Sequence, residues 1–230
     1  MRKIKILISL LAISLSALVQ ASNVDSVFLK LPSKILPLVD EKARFEMLEY
    51  FKARQTDSVK NKLGGFAHML HRDTTQQHII IKPAANSTLE IRLFKTTDST
   101  YITGIIHTVG IDVLRSMLEF YNADGSRLNL QLPGISSLEW YRNWAANDTL
   151  QIDDFKANLL NDNFLKMSFS KTDNIIEVQN YTVKLLHREH QNMISEFTGN
   201  KQTEENKILF RINCYLCSPV IEKLKSNDRK

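Results

Sequence analysis

Residues 40–54 carry Phe45, Leu48 and Phe51 at helical spacing, with Met47 alongside and Asp40 where an N-cap belongs. The pattern predicts an amphipathic helix of about four turns. After it the period shortens. The runs "SVKNKLGGFAHML", "QHIIIKP", "STLEIRLFK", "TYITGIIHTVG" and "RSMLEFYN" are β-branched or aromatic. Turn residues such as Asp73, Thr74 and Thr75, Ala84, Ala85 and Asn86, or Asp98 and Ser99 separate them, which predicts an antiparallel meander. Leu89, Ile91 and Leu93 alternate with Glu90 and Arg92, the pattern of a strand with one wet face. By contrast "YITGIIHTV" is apolar on both sides and belongs in the middle of the sheet. Gly64 and Gly65 predict a bulge or sharp bend rather than a phosphate cradle, because no Lys-Ser or Lys-Thr accompanies them. Asn122, Ala123, Asp124 and Gly125 form a turn that leads to "RLNLQLP", read as an edge strand.

Residues 133–163 are the least regular stretch, with only a short helix near 154–160 predicted. Alternation then returns. Leu165, Met167 and Phe169 face one side of "FLKMSFS", "IIEVQN" follows a turn at Thr172, Asp173 and Asn174, and a helix is predicted over 183–197. In "KILFRIN", Ile208, Phe210 and Ile212 share a face. The expected class is α+β: a twisted antiparallel meander with helices packed on it. Helix followed by strands occurs twice, which suggests two similar helix-plus-sheet halves.

The N-terminus changes the charge picture. Arg2, Lys3 and Lys5 precede an apolar run over residues 6–19, and Val19, Gln20 and Ala21 place small residues at a cleavage spacing. Residues 1–21 therefore read as an export signal, too short and too interrupted by Ser9, Ser14 and Ser16 to span a membrane. No integral membrane segment is expected once it is removed, and the expected location is periplasmic or secreted. The full chain has 30 basic and 25 acidic residues, and three of the basic ones lie in the signal. Between residues 22 and 217 the two signs are equal and interspersed, which excludes a nucleic-acid partner. Residues 22–213 fit one α+β domain, with residues 214–230 as a C-terminal tail.

Chemistry is sparse. The two cysteines, Cys214 and Cys217, form a Cys-x-x-Cys pair after a predicted strand, and Ser218 with Pro219 is positioned to start a helix. A redox pair would be arranged so, yet only 13 residues follow Cys217, too few to complete a thioredoxin fold. A local disulfide is the plainer expectation in an oxidising compartment. Zinc needs further ligands that the sequence does not place. His187 and His190 stand three apart on a predicted helix without a third ligand, and His68 and His71 are expected on opposite faces of a strand. Asp153 and Asp154 read as caps rather than hydrolytic acids, with Glu139 no better placed. Triplets such as Asp148, Thr149 and Leu150 fit an O-glycosylation acceptor, a short and unspecific pattern. No catalytic residue, metal or cofactor is expected. Trp140, Tyr141 and Trp144 offer a candidate binding surface or a packing cluster.

The segments "VKNKLGGFAHML", "NSTLEIRLFK", "ITGIIHTVG" and "LRSMLEFYNADGSRLNL" resemble successive strands of a family of small exported proteins of the Bacteroidales, classed as a domain of unknown function. The resemblance runs over about residues 27–213 and implies a periplasmic or surface location and an α+β fold, with no assigned activity. Two stretches depart from the family's pattern: "GIDVLRS", where members often carry cysteines, and "FRINCYLC", where a Trp-bearing strand is usual. The leading functional expectation is a non-enzymatic binding or accessory module with a protein or glycan partner, met through a sheet edge or through Trp140, Tyr141 and Trp144. The alternative is a thiol-disulfide protein acting through Cys214 and Cys217.

Overall fold

The computed structural model describes residues 23–55, 58–133, 164–185, 187–189, 191–192, 207–214 and 220–224. The chain is mainly β. Helix α1 (Val24–Lys30) and helix α2 (Glu41–Lys52) precede seven strands: β1 (Ser58–Lys60), β2 (Phe66–Asp73), β3 (His78–Ala84), β4 (Ser87–Lys95), β5 (Tyr101–Val109), β6 (Arg115–Tyr121) and β7 (Arg127–Leu128). These pair in sequence order as one antiparallel meander. A second sheet, ordered β11-β10-β9-β8, joins β8 (Leu165–Phe169), β9 (Ile175–Asn180), β10 (Lys207–Asn213) and β11 (Val220–Lys223); the short α3 (Thr182–Leu185) follows β9.

Capping starts both long helices. The Asn23 side chain accepts from Ser26 N, and that of Asp40 accepts from Ala43 N. α2 forms where its periodicity predicts, and Met47, Leu48 and the partly buried Phe51 of the predicted stripe pack against the core, whereas Phe45 does not. Arg44, Met47 and Leu48 point inward while Phe45 is 55% exposed. The polar Arg44 is inside because its guanidinium Nη1 donates to the carbonyls of Phe28 (3.1 Å) and Leu31 (2.7 Å), satisfying the last turn of α1. α1 was not anticipated, although Val24, Val27, Phe28 and Leu31 have helical spacing.

The buried residues of the large sheet fall into two clusters. Val24 and Phe28 of α1 and Met47 and Leu48 of α2 are buried in one cluster with Ala67, Met69, Ile79, Ile81, Leu89, Ile91, Leu93 and Ile105. A second cluster joins Phe94, Ile102, Ile106 and Phe120 of the large sheet to Leu165, Met167, Phe169, Ile176, Val178, Phe210 and Ile212 of the small one. β5 thus lies in the interior, as its two apolar faces predict, and β7 is a two-residue edge strand. The wet face expected on β4 does not exist: Glu90 is 8% exposed and Arg92 only 2%. The small sheet covers them, because β8 crosses over β4, β5 and β6.

Glu90 is part of that junction. Its carboxylate accepts from Phe169 N (3.0 Å), and Ser116 Oγ accepts from Met167 N (2.8 Å). β8 is the edge of the small sheet, so its outward N–H groups need acceptors, and the large sheet supplies them. Gly104, in register with Arg92 and Phe120, leaves room for the rings above; a Cβ there would sit 2.8 Å from both Phe169 Cζ and Phe94 Cε2.

Two further expectations change. Gly64 and Gly65 do bend the chain, with Gly64 at φ +80°, but they lie in the turn between β1 and β2 rather than within one strand. The bulge falls at Leu70: Met69 pairs with Ile81 and His71 with Ile80. That extra residue puts His68, opposite Lys82, and His71 on the same face, not on opposite faces. Beyond Cys217, residues expected to open a helix run instead as β11, antiparallel to β10. The export segment and the predicted helix at 154–160 lie outside the described residues, as do residues 186, 190 and 193–197 of the helix predicted over 183–197; of its described residues, 183–185 belong to α3 and 188, 189, 191 and 192 are helical.

Candidate functional site

Between residues of α1, β5 and the turn after β6 lies a cleft of about 410 Å³. Its walls come from distant parts of the chain: Ser26, Val27 and Lys30 of α1, the following segment with Leu31, Lys34 and Ile35, Tyr101, Thr103 and Ile105 of β5, and Tyr121 with the turn at 122–125. Alternation explains the β5 contribution, since residues 101, 103 and 105 share one face. Val27, Leu31, Ile35 and Ile105 make an apolar floor. Lys30 and Lys34, both exposed, stand at its rim.

α1 is held firmly over this cleft. Arg72 Nε and Nη2 donate to the two oxygens of Asp25 at 2.9 and 2.6 Å, a bidentate pair that raises the Arg72 pKa through that hydrogen bond. Val24 N donates to Gln77 Oε1 at 2.8 Å. The segment after α1 is tied to β5, where a hydrogen bond with the Ile35 backbone partly offsets the burial that lowers the His107 pKa.

The opposite wall is polar and fixed. The Tyr121 hydroxyl donates to Glu119 Oε2 (2.9 Å), and Glu119 pairs with Arg127 (3.0 Å). Burial first and the Glu119 bond second raise the Tyr121 pKa, so the phenol stays protonated. Hydrogen bonds from Ser126 hold Asp124 below the usual carboxylate range. Preset donors and acceptors around an apolar floor suit reversible binding of a small ligand. Two ammonium groups against one carboxylate already engaged by its own turn favour an anionic group on that ligand.

A second polar cluster lies between the sheets. His78 is fully buried, its Nε2 3.6 Å from Glu90 Oε2, and its ring meets those of His71 and Phe169 edge-on at 5.2 and 6.3 Å. Burial, then the neighbouring His78 and Lys171, lower the His71 pKa. Burial likewise pulls Arg92 down, opposed by Asp173 and Asp73, and its guanidinium lies 5.7 Å from the Phe94 ring centre. Glu90 is engaged by the Phe169 N–H, so this cluster reads as a junction between layers.

The residues singled out in the sequence are not gathered in the cleft. Cys214 follows the last residue of β10 and is half-buried, packed with Ile221 against the cluster that holds Phe210 and Ile212. Burial pushes its thiol pKa up, the direction opposite to thiolate activation. Cys217, Trp140, Tyr141, Trp144, Glu139, Asp153, Asp154 and His190 lie outside the described residues, and His187 is exposed. Among the described residues no group of three or more His, Cys, Asp or Glu side chains is placed to hold a metal. The cleft itself has no local motif: the strand at residues 101–109 and the turn at residues 122–125 were visible as patterns, but not as parts of one site.

No curated protein matches the chain. Among solved structures it is similar to a domain of an uncharacterized protein from Porphyromonas gingivalis W83, at 16% identity and a TM-score of 0.67, covering 88% of this chain and 98% of that one. That likeness shows a shared fold. The profile of the family described as "Protein of unknown function (DUF3256)" matches residues 16–205, and with that span covered the chain belongs to DUF3256.

Proposed function

We propose that the protein is an exported, non-enzymatic binding module of the periplasm or cell surface, in a family of exported Bacteroidales proteins, and that its ligand enters the cleft beside α1. The leader-like residues 1–21 support export. In this arrangement α1 and α2 act as a layer packed on the large sheet, a view supported by the cluster they share with it. The observation that carries the binding role is the cleft: an apolar floor under Lys30 and Lys34, faced by Tyr101 and Tyr121, within a volume of about 410 Å³. Ligand clefts usually measure about 300–1,000 Å³.

The favoured ligand bears a carboxylate next to an apolar or ring-shaped body. An acidic sugar and a peptide C-terminus share that chemistry. Calorimetric titration with a glucuronic-acid oligosaccharide and with short peptides ending in an aromatic residue separates the two sources. Saturable binding of one of them, weakened about tenfold or more by Lys30→Gln with Lys34→Gln and by Tyr101→Ala, is the expected result. Equal binding by the variants and the native chain, or no heat with either series, removes the cleft as the site.

A further inference from the structure

The two ends of the large sheet differ in chemistry. At one end the turns at residues 74–77, 96–100 and 122–126 contain no lysine or arginine. Asp73 accepts from Gln76 N and Thr75 N, Asp98 from the hydroxyls of Thr96 and Thr100 and from Thr100 N, and Asp124 from Ser126, and these bonds hold all three carboxyls below their ordinary range. At the other end lie the turns after β1, β3 and β5. Here Leu63 is 74% exposed and Ile111 73%, the highest values for large hydrophobic residues among the described ones, and Phe66 and Val109 flank them, also exposed.

These tips are built to hold their shape. Asn61 Oδ1 accepts from both Leu63 N and Gly65 N at 3.0 Å, while its Nδ2 donates to Pro83 O at 2.9 Å, joining the first turn to β3. Gly110 N donates to Asn86 O at 3.1 Å, joining the third turn to the second. Gly110 has φ +127°, and a Cβ there would lie 1.9 Å from Val113 O, so only glycine permits the turn that presents Ile111. Lys60, Lys62 and Arg115 are exposed around the tips and Lys82 is half-buried, against Asp112. On the helix side Asp40 is engaged as the cap of α2.

Exposed apolar tips on a stitched platform, ringed by cations, are complementary in charge and polarity to one kind of surface. We propose that this end docks on an anionic lipid bilayer, with Leu63 and Ile111 entering the headgroup region and Lys60, Lys62 and Arg115 facing lipid phosphates. A neutral surface would gain nothing from the cations.

Orientation is the decisive readout, because the apolar N-terminus of the full chain meets lipid by itself. An environment-sensitive dye is placed by Ile111→Cys, and separately by Asp98→Cys, in the full chain carrying Cys214→Ser and Cys217→Ser, with circular dichroism verifying the fold. On vesicles of phosphatidylglycerol and phosphatidylcholine the dye at position 111 brightens and shifts to the blue, and the dye at 98 does not. High salt or phosphatidylcholine alone weakens the response, and Lys60→Gln and Lys62→Gln each reduce the apparent affinity about fivefold. Equal responses at both positions, no response at 111, or a response that grows with protein concentration without lipid, as for a second copy of the chain, overturns the proposal.

Discussion

Glu90 has the sequence environment of a solvated residue and the structural environment of a core one. It lies between Leu89 and Ile91, yet its carboxylate takes an N–H from a residue 79 positions away. Removing it strands the Phe169 N–H and takes the neighbouring carboxylate, 3.6 Å away, from the buried His78. Glu90→Ala is expected to cost about 3 kcal/mol, the range for breaking a buried polar pair. Glu90→Gln keeps an acceptor and costs less. Urea unfolding at unchanged slope checks both, and an alanine variant within about 0.5 kcal/mol of native would mean the contact is not made. The histidines give a pH dependence. Burial lowers the folded-state pKa of His71 and His107 from 6.5, so below about pH 6.5 the unfolded chain takes up protons that the folded one resists. Their stabilising effect is full above that pH and lost as pH falls through the window below it. A midpoint of unfolding that rises between pH 7 and pH 5.5 would contradict this.

At the scale of elements, much was legible because alternation depends on local sequence alone. The strands at residues 87–95, 101–109, 165–169 and 207–213 and the helix at 41–52 form where periodicity puts them. Which face of β4 is dry was not legible, since the cover comes from β8, more than 70 residues later in the chain. On α2 only Phe45 was misplaced, for a related reason: Arg44 takes the inward position because it caps α1, a tertiary demand that helical spacing does not record. The cleft was illegible because its residues come from three separated stretches with no shared motif. Two tests belong here. Gly104→Ala forces a methyl against the Phe94 and Phe169 rings and should destabilise by about 1–3 kcal/mol by pushing the sheets apart, whereas an unchanged unfolding midpoint would show slack between the layers. In α2, Leu48→Ala should cost about 2–5 kcal/mol and Phe45→Ser under about 0.5, and a loss at Phe45 as large as that at Leu48 would put its ring back on the inward face.

For the molecule as a whole, the fold is a large meander with a helix layer's residues in one buried cluster and a second sheet's in another. Among the described residues no helix is long and apolar enough to cross a membrane. The cleft sits at the end of the large sheet that bears the polar turns, and the apolar tips are at the opposite end, so the two proposed contacts do not compete for one surface. Amide chemical-shift mapping by NMR, during titration of the chain with the acidic oligosaccharide and with the peptide series, tests the binding role most directly. The account predicts saturable shifts confined to residues 26–35, 101–105 and 121–125 with one of these ligands. Shifts centred on β8 to β11, or none with either ligand, would contradict it.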